Sequence, residues 1–140
     1  MNAITAHTII NGSRNLIIQF NLVADGTGNW TDYELLDITD YTGDDTRQPN
    51  NYKVVKVSGR NGVGTTFKLK FGDTGGEHKL FFESVRDSEF YEEWLDDGGL
   101  SPTLANPDMT IRMSTLGFDA DADTISVTIW LKKKTQLAGQ

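Results

Sequence analysis

Residues able to do chemistry are few in this chain, and none stands at the spacing that a catalytic or metal centre requires. The two histidines, His7 and His78, belong to no HExxH or comparable ligand pattern. His7 falls in an expected edge segment and His78 beside a glycine turn, places that suit surface histidines. The 140 residues include no cysteine, which excludes disulfides, thiolate zinc sites and a thiol nucleophile. No GxSxG elbow occurs. Gly59, Gly62 and Gly64 loosely resemble a phosphate loop, but no Walker lysine follows them. Asp119, Asp121 and Asp123 alternate like the opening of a calcium loop. Thr124 and Trp130 then occupy the places where that loop needs glycine and glutamate. Turn chemistry suits these acids better, because aspartate bonds its own backbone. The adjacent acids Asp44-Asp45, Glu92-Glu93 and Asp96-Asp97 say nothing about the carboxylate separation a glycosidase needs. No catalytic residue, metal ligand or cofactor is expected.

The aromatic residues are more informative. Trp30, Tyr33, Tyr41, Tyr52, Phe90, Tyr91 and Trp94 lie in or beside expected loops and segment ends. Core packing is the default for any one of them. The run Phe90-Tyr91-Glu92-Glu93-Trp94-Leu95, however, sets a large apolar load among acids, as interface anchors and sugar-stacking platforms do. Trp30, Tyr33, Phe90, Tyr91 and Trp94 are therefore the candidate interface residues.

The elements that must position them read as strands. Leu16, Ile18, Phe20 and Leu22 alternate with Asn15, Gln19 and Asn21, with Ile17 as the exception. Ile125, Val127, Ile129 and Leu131 alternate with Thr124, Ser126, Thr128, Trp130 and Lys132. Further strands are expected at His7–Ile10, Asp32–Ile38, Tyr52–Ser58, Thr65–Phe71, Lys79–Glu83 and Met109–Ser114. Thr39–Asn51 reads as a loop. Asn61-Gly62 is a strong turn signal, so Tyr52–Ser58 and Thr65–Phe71 are expected to form a hairpin. The stretch Ser84–Pro107 lacks a strand pattern. A short helix over Ser88–Leu95, capped by Asp87 and pairing Phe90 with Trp94, is favoured there over an irregular strand. About eight strands between turn-rich loops predict one all-β domain over residues 1–140: an antiparallel, jelly-roll-like β-sandwich with at most one short helix. Met1–Ile4 and Thr135–Gln140 are expected to be flexible arms.

Thirteen basic against twenty acidic residues leave a net charge of −7. Such a surface repels phosphate backbones, so nucleic-acid binding is not expected, and Lys132-Lys133-Lys134 reads as a solvated strand end. No apolar run is long enough to span a bilayer. The start, MNAITAHTIINGSRN, lacks the pattern of a secretory leader, and synthesis and folding in the cytoplasm are expected.

Several segments together resemble a known class. They are Asn11-Gly12-Ser13-Arg14-Asn15-Leu16-Ile17-Ile18, Asp25-Gly26-Thr27-Gly28-Asn29-Trp30-Thr31-Asp32, Asp97-Gly98-Gly99-Leu100, Pro107-Asp108-Met109-Thr110-Ile111, and Asp123 through Ile129 ending in lysines. This order resembles small virion structural proteins of tailed bacteriophages and is similar to the jelly-roll decoration, or cement, proteins that coat capsids. The resemblance implies a non-enzymatic protein on the outer capsid surface of the virion. It would bridge subunits of the major capsid protein as a homo-oligomer and resist internal DNA pressure. The alternative is a carbohydrate-binding phage tail or adhesin module using Trp30, Tyr33, Tyr91 and Trp94. A small hydrolase using the clustered acids is the third reading.

Overall fold

The computed structural model describes residues 3–12, 14–42, 49–62, 64–84, 89–94, 98–104, 106–118 and 123–134. Nine strands occur among them: β1 (Ala3–Asn11), β2 (Asn15–Val23), β3 (Tyr33–Asp37), β4 (Asn51–Asn61), β5 (Thr66–Asp73), β6 (Lys79–Glu83), β7 (Glu89–Glu93), β8 (Pro107–Leu116) and β9 (Thr124–Lys134). A single 3₁₀ turn, Ile38–Asp40, follows β3, with the Asp37 carboxylate accepting from the Thr39 backbone N–H.

The strands form two antiparallel sheets, one ordered β1-β2-β9-β4-β7 and the other β3-β8-β5-β6. Apart from the β5–β6 pair, each strand from β2 onward hands the chain to the opposite sheet. That connectivity over eight strands is a jelly roll, with β1 added beside β2. The period-two pattern explains why the sheets close. Leu16, Ile18, Phe20 and Leu22 of β2 and Ile125, Val127, Ile129 and Leu131 of β9 are all buried. Phe67, Leu69 and Phe71 of β5 and Ile111 and Met113 of β8 meet them from the other side. Each such side chain stabilises the fold by roughly 1.5–3 kcal/mol when removed from water. Tyr52 of β4 crosses the core to pack edge-on against Phe71 at 5.9 Å, and its hydroxyl donates to the Thr110 carbonyl.

Three local expectations are corrected. The Asn61-Gly62 turn does not close a hairpin, because β4 and β5 belong to different sheets. At the crossing, Gly62 N–H donates to Thr124 O, and the Asn61 amide donates to Thr65 O. Both strands are buried on one face, and those faces meet in the core only when the strands oppose each other. Nor does a helix form over Ser88–Leu95: Glu89–Glu93 is strand β7, paired antiparallel with Lys56–Arg60 of β4. Helical spacing would put Phe90 and Trp94 on one stripe. Two-residue spacing also puts them on one face, and only the strand lets β4 satisfy the backbone. Asp87, Ser88 and Leu95 lie outside the described residues, as do Thr135–Gln140. Ala3 and Ile4, expected in an arm, belong to β1 and pair with Val23 and Leu22.

Candidate interface on the outer face of the five-stranded sheet

With Ile18 and Ile129 turned inward, the intervening residues of the five-stranded sheet point out. Strand register sets them in rows. One row runs Ile10, Ile17, Trp130, Lys56 and Glu93 from β1 to β7. The next runs His7, Gln19, Thr128, Ser58 and Tyr91. A third runs Thr5, Asn21, Ser126, Arg60 and Glu89. An apolar stripe therefore adjoins a field of amide and hydroxyl groups.

Lys56 links the aromatic members of this face. Its ammonium lies 4.4 Å from the Trp130 ring centroid and 4.7 Å from that of Tyr91. Ring faces are electron-rich, so each contact is worth roughly 0.5–1 kcal/mol at an exposed site. Its place follows from a bulge: Val54 pairs with Leu131 and Lys56 with Trp130, leaving Val55 as the extra residue. Trp94 N–H donates to the Val55 carbonyl, and Val54 and Leu100 exchange backbone bonds. Tyr91 is 58% exposed, and its hydroxyl donates to the Glu93 carboxylate, which holds the phenol above its ordinary pKa. Beyond the third row is a depression of 470 Å³, lined by Asn21, Val23, Arg60, Thr124 and Ser126 among others. Ser126 Oγ donates to Asn21 Oδ1 there at 3.0 Å.

The outer face of the four-stranded sheet is different in kind. Lys70 contacts Asp32 at 2.7 Å, and Arg112 reaches Asp108 at 3.2 Å and Glu34 at 3.5 Å. The Lys70 hydrogen bond is the largest influence on the Asp32 carboxyl and, with that of Ser114, holds it below the usual range despite partial burial. Burial pulls Asp108 upward, but hydrogen bonds from Thr110 and Arg112 outweigh it and leave its carboxyl lowered. These charges satisfy one another.

The five residues expected at an interface are not brought together. Trp30 and Tyr33 stack at 4.2 Å beside β3, with Phe118 6.0 Å from Trp30. Asn29 and Thr115 fix that end: Asn29 Oδ1 accepts from Phe118 N–H, and Thr115 Oγ1 accepts from Trp30 N–H. Strand β7 borders the other sheet. Phe90 turns between the sheets, 5.2 Å from both Phe67 and Phe82, and Trp94 meets Phe81 at 6.4 Å. Of the five, Tyr91 stands on the outer face. Ile10, Ile17, Lys56 and Trp130 were missed, though Ile17 and Trp130 are visible as large apolar residues on the polar side of alternating strands.

Groups that could do other chemistry have structural duties. His78 Nδ1 accepts the Asp73 backbone N–H at 2.8 Å and holds the β5–β6 turn. Lys133 is buried at the end of β9, where its ammonium donates to Asn11 Oδ1 and the Tyr41 carbonyl, and burial lowers its pKa. Among the described residues no three His, Asp or Glu side chains gather as a metal site. Asp119 and Asp121 of the acidic turn lie outside the described residues, as do Asp44-Asp45 and Asp96-Asp97. No described helix is long and apolar enough to cross a membrane.

No family model matches the chain, and no curated protein matches it. Among solved structures it is similar to the crystal structure of Peruvianin-I, a cysteine peptidase from Thevetia peruviana latex, with 7% identity and a TM-score of 0.39. The match covers 94% of this chain but spans 63% of that one. A likeness of this size carries no functional argument, and the present chain has no cysteine.

Proposed function

We propose that this protein is a non-enzymatic structural module that decorates the outer surface of a bacteriophage capsid, docking through the outer face of its five-stranded sheet. The observation that carries this reading is the contrast between the two sheet faces. One spends its polar side chains on internal ion pairs, while the other sets exposed Ile10 and Tyr91 and half-buried Ile17 and Trp130 beside amides and hydroxyls. Aromatic and apolar anchors rimmed by polar groups are the usual make-up of a binding surface. The net charge of −7 suits the outside of a head better than its DNA-lined interior.

A second reading has its own support. Tyr91 and Trp130 beside Gln19, Asn21, Ser126 and Arg60 would also suit a carbohydrate, whose apolar ring faces stack on aromatics while its hydroxyls need hydrogen bonds. Co-sedimentation with purified expanded heads, run beside a glycan array, separates the two. Binding to heads that Trp130→Ala abolishes supports decoration. Glycan binding without head binding overturns it in favour of the second reading.

A further inference from the structure

The two sheets end in four edge strands, and three of them are defended against pairing. Strand β7 has five residues, including Glu89, Glu92 and Glu93. Strand β3 has five, with Glu34 and Asp37, and β6 has five, with Lys79 and Glu83. Short length and charge are the usual devices that keep an exposed row of N–H and C=O groups from recruiting another strand. Strand β1 has neither. It runs nine residues, AITAHTIIN, without proline, lysine, arginine or any acid, in a chain that is 24% charged. All but Ile4 are exposed, Ile9 at 51% and Ile10 at 45%. Its bulge falls between Thr8 and Ile10, so Ala3–Thr8 stays in unbroken register with β2 and leaves a regular opposite edge.

We propose that β1 pairs antiparallel with β1 of a second copy about a two-fold axis, joining two five-stranded sheets edge to edge. Self-complementarity argues for a second copy as the occupant, at the one edge where charge does not oppose it. Two molecules that each carry −7 repel, and β1 is the edge along which they meet with no like charges opposed. A two-fold contact requires one patch to complement itself, which a regular, uncharged strand does. Side chains alternate between faces, so a continuous sheet needs partners of equal parity. One residue must then face its own counterpart across the axis, and the middle of the regular stretch offers Thr5 or Ala6. Such a dimer would present two copies of the outer face in one surface and gain by avidity. The inference rests on the edges alone and stands whatever that face binds.

The absence of cysteine makes the test clean. Single-cysteine variants Thr5→Cys, Ala6→Cys and His7→Cys would be oxidised beside Leu80→Cys, an exposed position on edge strand β6 (45%). A disulfide-linked dimer that peaks at Thr5→Cys or Ala6→Cys, with Leu80→Cys monomeric, is the expected result. Sedimentation should give the unmodified chain twice its 15.5 kDa mass. Thr5→Lys should return it to monomer with an unchanged circular dichroism spectrum. A monomer at every concentration up to the millimolar range overturns the pairing and leaves the edge to a strand of another protein. Equal cross-linking from β6 overturns it too, as does a dimer that survives Thr5→Lys.

Discussion

Lys56 of β4 holds its ammonium 4.4 Å from the indole of Trp130 on β9. The same ammonium faces Tyr91 of β7, so one cation ties three neighbouring strands on a solvent-facing surface. Nothing in the core needs this arrangement. It orients two aromatic rings that a partner would meet first, with their entropy of ordering already spent.

Replacing Lys56 by Met should therefore cost little stability, about 1–2 kcal/mol from two cation–π contacts. Trp130 fluorescence should shift, and binding to the partner surface should fall more than stability does. Denaturant titration and co-sedimentation of the same variant check both. Equal losses would mark Lys56 as a structural strap only.

The Asp32–Lys70 pair provides a pH dependence whose sign is set. The folded Asp32 carboxyl lies below its ordinary value, chiefly through the Lys70 hydrogen bond. Its contribution is present above the unfolded pKa near ~3.9 and is lost as pH falls through the folded value. Both side chains are partly exposed, at 23% and 34%, so the pair is worth about 1 kcal/mol at most. Lys70→Met should flatten the fall in melting temperature below pH ~4, measured at low salt. An unchanged slope would assign acid sensitivity to other carboxylates.

At Gly59 strand β4 runs close to both of its neighbours, paired with Val127 of β9 and Phe90 of β7. A Cβ there would collide with the Ser126 carbonyl on one side and come within 2.9 Å of the Phe90 ring on the other. Gly59→Ala should destabilise the protein by about 1–3 kcal/mol, as overpacking does. Hydrogen exchange should show Glu89–Glu93 and the stretch of β9 around Ser126 losing protection before β2. Uniform loss along the sheet would contradict a local role.

Tyr52 should resist ionisation. Burial, aided by Asp108, drives its hydroxyl well above the ordinary tyrosine value. That contribution is full below the unfolded pKa near ~10 and is lost as pH rises through the folded value. The tyrosinate absorbance of the folded protein should therefore fall one residue short until alkaline unfolding. Tyr52→Phe should remove that late step and cost only about 0.5–1.5 kcal/mol, since the bond to Thr110 O is long at 3.4 Å. A late step that persists in Tyr52→Phe would identify another tyrosine.

The sequence by itself determined the all-β class, the cores of β2 and β9, and which of their side chains point outward. Burial on one face writes a two-residue rhythm into the chain, and Ile17 and Trp130 stand out against it as apolar residues on the wet side. Tertiary structure alone decided which strands are neighbours. Local pattern cannot tell a hairpin from a crossing between sheets, so β4 and β5 look like partners until the core separates them. Nor can it bring Ile17, Trp130, Lys56 and Tyr91 into one patch, since they come from four strands that meet only through the register of β9 with β2 and β4. For β7 the aromatic spacing fits helix and strand alike, and the open edge of β4 settles it. Periodicity is a property of one segment in water and core. Pairing is a bargain among distant segments over the same buried volume, struck only when all of them are present.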